Sequence, residues 1–458
     1  MDSKASYQHR TAVVIGGSMA GLLAARVLAN HYDRVIIIER DPLPASREIR
    51  RGVPQARHTH GLLAGGREAL ERLFPGISEE LIAAGALTGD IVRESRWFLE
   101  GGRYCRPVSG LKGLLMSRPF LESAVREHVS RVPNVQIRDG LEVRGLIVSG
   151  SGSQITGVEA GSERLDSDLV VDTTGRGSRS VRWLEAMGFP KPQEERVQVD
   201  LSYTTRLFRR SRKDLNGDLA VIIPPTPQGK CGGVMLAQED DLWTVTLISE
   251  FGPPAPGELD GFIEFAKALP APDIHEVISS AEPIGAAAPF RFRASVRRHY
   301  EKLSRLPLGY VAMGDALSSF NPIYGQGMTV AALEALALDS VLSNNPRDLA
   351  RHFYQRASKV VDTPWSIAVG NDLRIPETVG RRSLGVRFVN SYIARLHRAA
   401  HRDPAVAIAF HQVGNLVKPP AHIMRPAIAW RVLWGGFGEH GKPSLARNAQ
   451  ESTLHQGI

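Results

Sequence analysis

The sequence predicts an α/β protein: a parallel sheet of nucleotide-binding type, interrupted by an inserted sheet domain and followed by a helical C-terminal region. Three observations predict it. A glycine turn, VVIGGSMAGL at 13–22, links an apolar run to a stretch rich in Ala and Leu. Alternating apolar segments punctuated by Pro/Gly clusters fill 195–300. A second strand–glycine–helix pattern, GYVAMGDALSSFNPIYGQGMTVAALEA, follows at 309–335. The 458 residues suffice for two domains with full cores. Read from these shifts, the boundaries are 1–195, 196–300, 301–345 and 346–458, the first and third segments forming one domain.

Residues 12–15 are a short apolar run, read as a buried parallel strand. Residues 19–29 read as a helix, and RVIIIE (34–39) as a second buried strand ending on a carboxylate, which completes a β-α-β unit. Residues 119–131 look helical, with NVQIR, LEVRGLIV and SQITGVEA as short strands behind them. DLVVD (168–172) is a further strand leading into a glycine-rich turn. The segments VQVDLSYTTRLF, CGGVMLA and LWTVTLIS are separated by PPTPQGK and FGPPAPG, as in a mixed or antiparallel sheet with one covered face. The first domain resumes at LGYVAMGDA (308–316) with a small-residue helix over 326–341, and 347–440 read mainly as helices.

Composition narrows the function classes. Hydrophobic content of 43% with 23% charge is that of an ordinary globular protein. The two cysteines, Cys105 and Cys231, argue against a disulfide framework and for a reducing compartment, and no metal-ligand spacing occurs. The net charge of +8 comes from dispersed arginines, which disfavours a nucleic-acid partner. No apolar run reaches transmembrane length, and MDSKASYQHR lacks the apolar stretch of a secretion signal, so a cytoplasmic protein is expected. The apolar stretch 405–437, interrupted by Lys418, Pro419 and Pro420, is the one region open to peripheral membrane contact.

The opening turn has the physical requirements of a pyrophosphate cradle. Gly16 gives the tight turn, the third residue lets the backbone approach phosphate, and Gly21 lets helix and strand pack closely. Met19 and Ala20 then sit at a helix N-terminus, whose free N–H groups and dipole meet the charge. Ser18 stands where the second glycine is usual; it is small, and its hydroxyl is available to a phosphate oxygen. Glu39 is placed to accept ribose hydroxyl hydrogen bonds. A glycine turn in an unrelated α/β protein is the bland alternative, and strand, helix and carboxylate in register weigh against it.

The stretch 309–335 resembles the second FAD-binding motif of class A flavin monooxygenases, which implies a Rossmann-like FAD-binding domain of glutathione-reductase type. The resemblance implies that Asp315 binds the ribitol and that Pro322 lies beside the isoalloxazine. It further implies that Gly325, Gly327 and Met328 bring a helix N-terminus to the flavin. That helix end would stabilise the negative charge of reduced flavin. Within the family the pattern is similar to squalene epoxidase and to bacterial epoxidases that act on polyene precursors of polyether antibiotics, through ERDPLPASREIRRGVPQARHTHGLLAGG. By that likeness Glu39 and Arg40 flank the adenosine ribose, Arg47 approaches the FAD, Arg118 opens a helix over the pyrophosphate, and Val143 meets the adenine through its backbone. Arg47, Arg51 and Arg57 read equally well as a solvated basic loop. Thr174-Gly175 stands where related hydroxylases carry Asp-Gly, so Arg176, Arg179 and Arg182 read either as an NADPH phosphate site or, preferably, as surface. The resemblance extends from residue 11 to about 340.

The implied cofactors are FAD, O2, and NADPH or NADH as reductant, used directly or through a separate flavin reductase. The implied oxidant is a flavin C4a-hydroperoxide, and the implied reaction is epoxidation of an apolar small molecule such as a polyene polyketide or terpenoid. No acid/base pair stands out; an alkene needs none, whereas phenol hydroxylation profits from one. His58 and His60 read as catalytic bases or, more commonly for loop histidines, as structural hydrogen-bonding residues. Tyr203, Leu236 and Trp243 are the expected roof of a deep, mostly apolar substrate pocket. The main rival is an aromatic or indole hydroxylase on the same scaffold. A halogenase is a weaker rival, since the W-x-W-x-I-P string is missing although Lys112 is loosely placed. Weaker too are a prenyl reductase and a non-enzymatic lipid-binding chaperone of the GDP-dissociation-inhibitor type, the latter disfavoured by the presence of Glu39, Arg118 and Asp315. The oligomeric state is left open.

Overall fold

Five parallel strands form the nucleotide-type sheet of the computed structural model, in the order Tyr310–Ala312, Leu169–Asp172, Thr11–Ile15, Arg34–Ile38 and Val135–Arg138. Residues 10–45, 47–344 and 346–434 are described; the ends of the first and last expected domains, and positions 435–437 of the apolar C-terminal stretch, lie outside them. The register sets Val13 between Val170 and Ile36. These strands are unbroken apolar runs because packing buries both their faces. Helix Met19–Leu28 packs on Gly327–Leu342 and Arg118–Ser130, and Val13, Leu22, Ile36 and Val171 are at most 1% exposed. Each such side chain contributes about 1.5–3 kcal/mol relative to exposure.

The second sheet has eight strands, ordered Ser318–Ser319, Pro283–His299, Gln193–Arg209, Leu242–Glu250, Cys231–Gln238, Ala220–Ile223, Ser95–Leu99 and Gly102–Arg103. It is mixed: the pairing of Ala220–Ile223 with Ser95–Leu99 is parallel, and its other pairings are antiparallel. The sheet therefore reaches beyond 196–300, drawing in strands on either side of the insertion.

Period-two alternation divides its faces. Val221, Ile223, Met235, Val245 and Leu247 pack under helices Leu259–Lys267 and Asp273–Ile278, forming a core with Phe262 and Ile274. Ala220, Ile222, Val234, Leu236, Thr246 and Ile248 line a cavity on the other face. Trp243, expected at the substrate roof, belongs to the first set. It pairs with Ala237 and Phe208, is fully buried, and donates its Nε1–H to Asp214 at 2.8 Å. Its phase, one residue out from Thr244 opposite Leu236, turns it away from the cavity.

Helices Leu349–Asp372, Leu384–Ala400, Pro404–Gly414 and Pro426–Trp434 close the far end. Asp403 caps the third, accepting from the N–H of Ala405 and Val406, with Pro404 in the first turn. Among the described residues no helix is long and apolar enough to cross a membrane.

Candidate functional site

A cavity of about 1130 Å³ runs between the two sheets, and two helix N-termini open into it: Ser18–Ala20 of the first helix and Gly325–Met328 of the helix Gly327–Leu342. The glycine turn is a fitted cradle. Gly16 adopts φ +106°, and a Cβ on Gly21 would lie 1.8 Å from the Gly16 carbonyl oxygen. Gly314 adopts φ +65°, and a Cβ there would lie 2.8 Å from that of Ala20. Only residues without a side chain fit these positions.

At one end, the Glu39 carboxylate accepts from the N–H groups of Gly17 (2.8 Å) and Asp41 (3.0 Å) and pairs with Arg50 at 3.1 Å. Arg40 and Val143 line the same end, and the Val143 carbonyl accepts from Arg179 at 2.8 Å. Beside the turn, Ser18 Oγ donates to Glu122 at 2.7 Å and accepts from Arg118 at 3.0 Å, while Arg50 pairs with the other Glu122 oxygen. Burial works against the Glu122 carboxylate, yet Arg118 and Arg50 hold its pKa below the ordinary value. Ser18 and Arg118 are thus poised at the turn on a buried counter-ion.

Arg47, expected near the cofactor, lies elsewhere. Its guanidinium stacks 3.6 Å over the Phe120 ring, reaches towards the Ala84 carbonyl, and does not line the cavity. Arg50 and Arg51 line it instead, and Arg50 is the buried cation. Arg176 and Arg179, preferred above as surface, also line the cavity; Arg182 does not. The turn after Leu169–Asp172 is organised by Asp172, which accepts from the Thr174 N–H (2.9 Å), the Thr174 hydroxyl (2.6 Å) and the Ser178 hydroxyl (2.5 Å). A carboxylate two residues upstream thus shapes the turn that has Thr174 in place of aspartate.

In the middle, Asp315 projects into the cavity, accessible to water but walled by protein. Desolvation raises its pKa, opposed by Arg176 and Arg118. Beneath it Glu334, unnoticed in the sequence, accepts the Gly314 N–H at 2.6 Å, has one buried oxygen without a partner, and is pushed up to about 8 by burial. Pro322, Gly325, Gly327 and Met328 line the cavity along this wall.

The far part carries two kinds of surface. The sheet face is largely apolar, and Leu236 and Tyr203 line the cavity there. At its edge the Tyr203 hydroxyl, Glu250 Oε1 and Asp372 Oδ2 are buried without hydrogen-bond partners. Asp372 Oδ1 accepts from Asn321 Nδ2 (2.9 Å) and from the Tyr324 hydroxyl (3.2 Å). Burial pushes Asp372 up to about 7; burial, with the Asp372 and Glu377 charges, pushes Glu250 up to about 8. Two buried carboxyl groups, both raised by desolvation, therefore share this edge, and no motif announced them. His58 bonds Thr205 Oγ1 through Nδ1 at 2.8 Å, packs against Tyr203 and Phe290, and is lowered to about 4 by burial and Arg57. His60 donates Nδ1–H to the His58 carbonyl at 2.9 Å and is lowered to about 3, chiefly by burial. Both are neutral imidazoles in the cavity wall at pH 7, and His58 Nε2 has no partner. No cluster able to hold a metal ion occurs among the described residues.

Residues 9–352 match a family model described as "FAD binding domain". The chain is 34% identical over 450 residues to Protein Rv3254 of Mycobacterium tuberculosis (strain ATCC 25618 / H37Rv), covering 92% of this chain and 94% of that one. It is 24% identical over 351 residues to 6-hydroxy-3-succinoylpyridine 3-monooxygenase HspB of Pseudomonas putida (strain DSM 28022 / S16), covering 72% and 78%. The structure of flavin-dependent brominase Bmp2 shares the fold, with a TM-score of 0.66 at 15% identity over 89% of this chain and 94% of that one.

Proposed function

Since the chain belongs to the FAD-binding-domain family, with the fold of class A flavin monooxygenases, we propose that it is an FAD-dependent monooxygenase that hydroxylates an electron-rich ring in a largely apolar small molecule. The observation that carries the ring over the alkene is the buried Asp372–Glu250 pair at one edge of an otherwise apolar wall. The flavin, once bound and reduced, would supply the electrons that activate O2, from which the transferred oxygen atom comes. Glu39 would hold the ribose, the Gly16–Ala20 turn and Arg118 the pyrophosphate, Asp315 the ribitol, and the helix end at Gly325–Met328 the flavin ring. Reducing power would come from NADPH or NADH, directly or through a flavin reductase, with Arg176 and Arg179 at the cavity rim as anion-binding groups.

The chain's own residues shape the rest of the chemistry. Ala220, Ile222, Val234, Leu236 and Ile248 seat the apolar body of the substrate and exclude water. Tyr203, Tyr324, Glu250 and Asp372 orient its polar end. Epoxidation of an alkene in a polyene or terpenoid is the second reading, favoured by the apolar face alone. A halogenase reading gains nothing from Lys112, which is exposed and does not line the cavity. Similarity in fold to a brominase at 15% identity speaks to fold only.

Aerobic turnover with FAD and NADPH, offering a phenol and a terminal-alkene polyene, decides between the readings when products are read by mass. Oxygen gained by the phenol is expected. Oxygen gained only by the polyene would establish epoxidation instead, and purified protein without flavin absorbance would overturn both.

A further inference from the structure

We propose that the outer side of the C-terminal helices is a docking surface for an anionic lipid bilayer, and that docking sets the mouth of the cavity against the bilayer. Eleven large apolar side chains are exposed among the described residues, and eight of them fall within 379–434. Single exposed apolar side chains are ordinary on a protein surface; a concentration of them in one segment is not. Leu384 is 82% exposed and Phe388 66%, one turn apart on helix Leu384–Ala400. Trp430 is 64% exposed on helix Pro426–Trp434, with the Trp434 ring centroid 5.3 Å from its own. The two helices pack together, and the Tyr392 hydroxyl donates to the Ile423 carbonyl at 2.6 Å, which ties the turn carrying exposed Met424 to the first of them. The stretch 405–437, open to peripheral membrane contact on sequence, thus divides: Val406, Ala407 and Ala409 are core, and the outward apolar side chains lie in 424–434 and on the neighbouring helix.

Charge selects the occupant. Residues 378–434 hold nine Lys/Arg and one carboxylate, Asp403, an excess equal to the +8 of the whole chain, so the rest of the chain is balanced. Arg398 pairs with Glu100, Arg431 pairs with Asp403, and Arg382 donates to four carbonyls within 373–378. Arg381, Arg387, Arg395, Lys418 and Arg425 are exposed and form no ion pair among the described residues. Exposed aromatic side chains set among unpaired cations match the headgroup layer of an anionic bilayer. Tryptophan rings rest at headgroup level, amphipathic helices lie in that plane, and each cation close to the surface strengthens binding about fivefold. A second copy of this face would set like charges against each other. Residues 435–458 contain two cations and two carboxylates, so they offer this surface no net complement.

The cavity reaches the surface on this side. Val389, beside Phe388, lines it and is 48% exposed, and Ile423, beside Met424, lines it from within. Ile367, Ile393 and Pro420 continue the same apolar wall inward. An apolar substrate dissolved in the bilayer would therefore enter without leaving an apolar phase. That consequence rests on the monooxygenase reading; the docking surface itself does not.

The test is sedimentation of the full chain with vesicles of phosphatidylcholine, with and without phosphatidylglycerol. Wild type should bind the mixed vesicles about tenfold or more tightly than phosphatidylcholine alone, and added salt should weaken that binding. The double variant Phe388→Ser/Trp430→Ser and the triple variant Arg387→Gln/Arg395→Gln/Arg425→Gln should each bind the mixed vesicles about tenfold or more weakly. Val108→Ser, at an exposed apolar position outside the segment, should bind as wild type does. All these side chains are exposed, so unfolding midpoints should stay at the wild-type value and show that lost binding is not lost folding. No binding of wild type to the mixed vesicles, or wild-type binding by the double or the triple variant, would overturn the docking surface. So would a wild-type dimer in solution that the double variant dissociates, since a second copy would then be the occupant. None of these readouts uses flavin or turnover. Protein without flavin that binds vesicles as expected refutes the monooxygenase reading alone, and flavin-loaded protein that ignores them refutes the docking surface alone.

Discussion

Gly21→Ala adds one methyl group at the tightest point of the cofactor turn. The new Cβ would meet the Gly16 carbonyl oxygen at 1.8 Å and Thr173 Oγ1 at 2.8 Å, where real Cβ contacts essentially never fall below 3.0 Å. Neither neighbour is free to yield. The Gly16 N–H is bonded to the Ile38 carbonyl at 2.8 Å, and Thr173 Oγ1 donates to the Ile15 carbonyl at 2.8 Å. Helix Met19–Leu28 must therefore move away from its strand by more than about 1 Å. Overpacking at ordinary sites costs about 1–3 kcal/mol; a collision with fixed backbone belongs at the upper end, about 3 kcal/mol. The same movement carries the helix N-terminus away from the phosphate position, so flavin should be lost on gel filtration. Gly150→Ala is the control: its Cβ meets nothing within 4 Å, and its stability should stay within about 0.5 kcal/mol of wild type. Denaturant midpoints and flavin absorbance of both variants provide the measurement. A Gly21→Ala protein with wild-type midpoint and full flavin would show that helix and strand are not in the close contact described.

Ser18→Leu removes the hydroxyl bridging Glu122 and Arg118 and inserts a branched chain into a buried ionic cluster, so flavin retention should be abolished; unchanged flavin occupancy would refute that placement of the turn. Trp243→Phe should cost about 1–3 kcal/mol through the lost hydrogen bond to the Asp214 carboxylate and leave KM unaltered, whereas Leu236→Trp should alter KM with little change in the unfolding midpoint; steady-state kinetics and denaturation on both test the two faces of the sheet. Glu334 has a folded pKa raised from 4.5 to about 8, so the native state binds more protons there than the unfolded chain does. Its stabilising share is complete below the unfolded pKa and is lost as pH rises towards 8, at up to about 1.4 kcal/mol per pH unit. Glu334→Gln should remove that slope, gaining on wild type as pH increases; parallel slopes in unfolding experiments from acid to mildly alkaline pH would refute it.

What could be read from the chain follows from locality. The β-α-β unit was legible because strands buried on both faces are unbroken apolar runs, and Gly16, Gly21, Glu39 and Gly314-Asp315 sit at offsets fixed by backbone geometry. The loop 41–60 has no periodicity, so nothing distinguished Arg47, which stacks on Phe120, from Arg50, which enters the ionic cluster. Glu122 was within reach, being one helical turn from Arg118 on the same face. Trp243 failed on phase: alternation was visible, but the register that assigns each set to a face comes from partner strands. Glu250 and Asp372 belong to a strand end and a helix end far apart in the chain, and only the tertiary fold gives them a shared wall.

The alternation in strands 220–223, 231–238 and 242–250 also separates two evolutionary pressures within each strand. Positions on the helix-covered face are constrained by folding, while their immediate neighbours Ala220, Ile222, Val234 and Leu236 border an open space whose volume the fold does not need filled. Descendants of such a chain can diverge in what they accept by drifting at every second residue. A mutational library confined to those four positions should therefore yield mostly folded proteins, while one confined to Val221, Met235, Val245 and Leu247 should yield mostly unfolded ones.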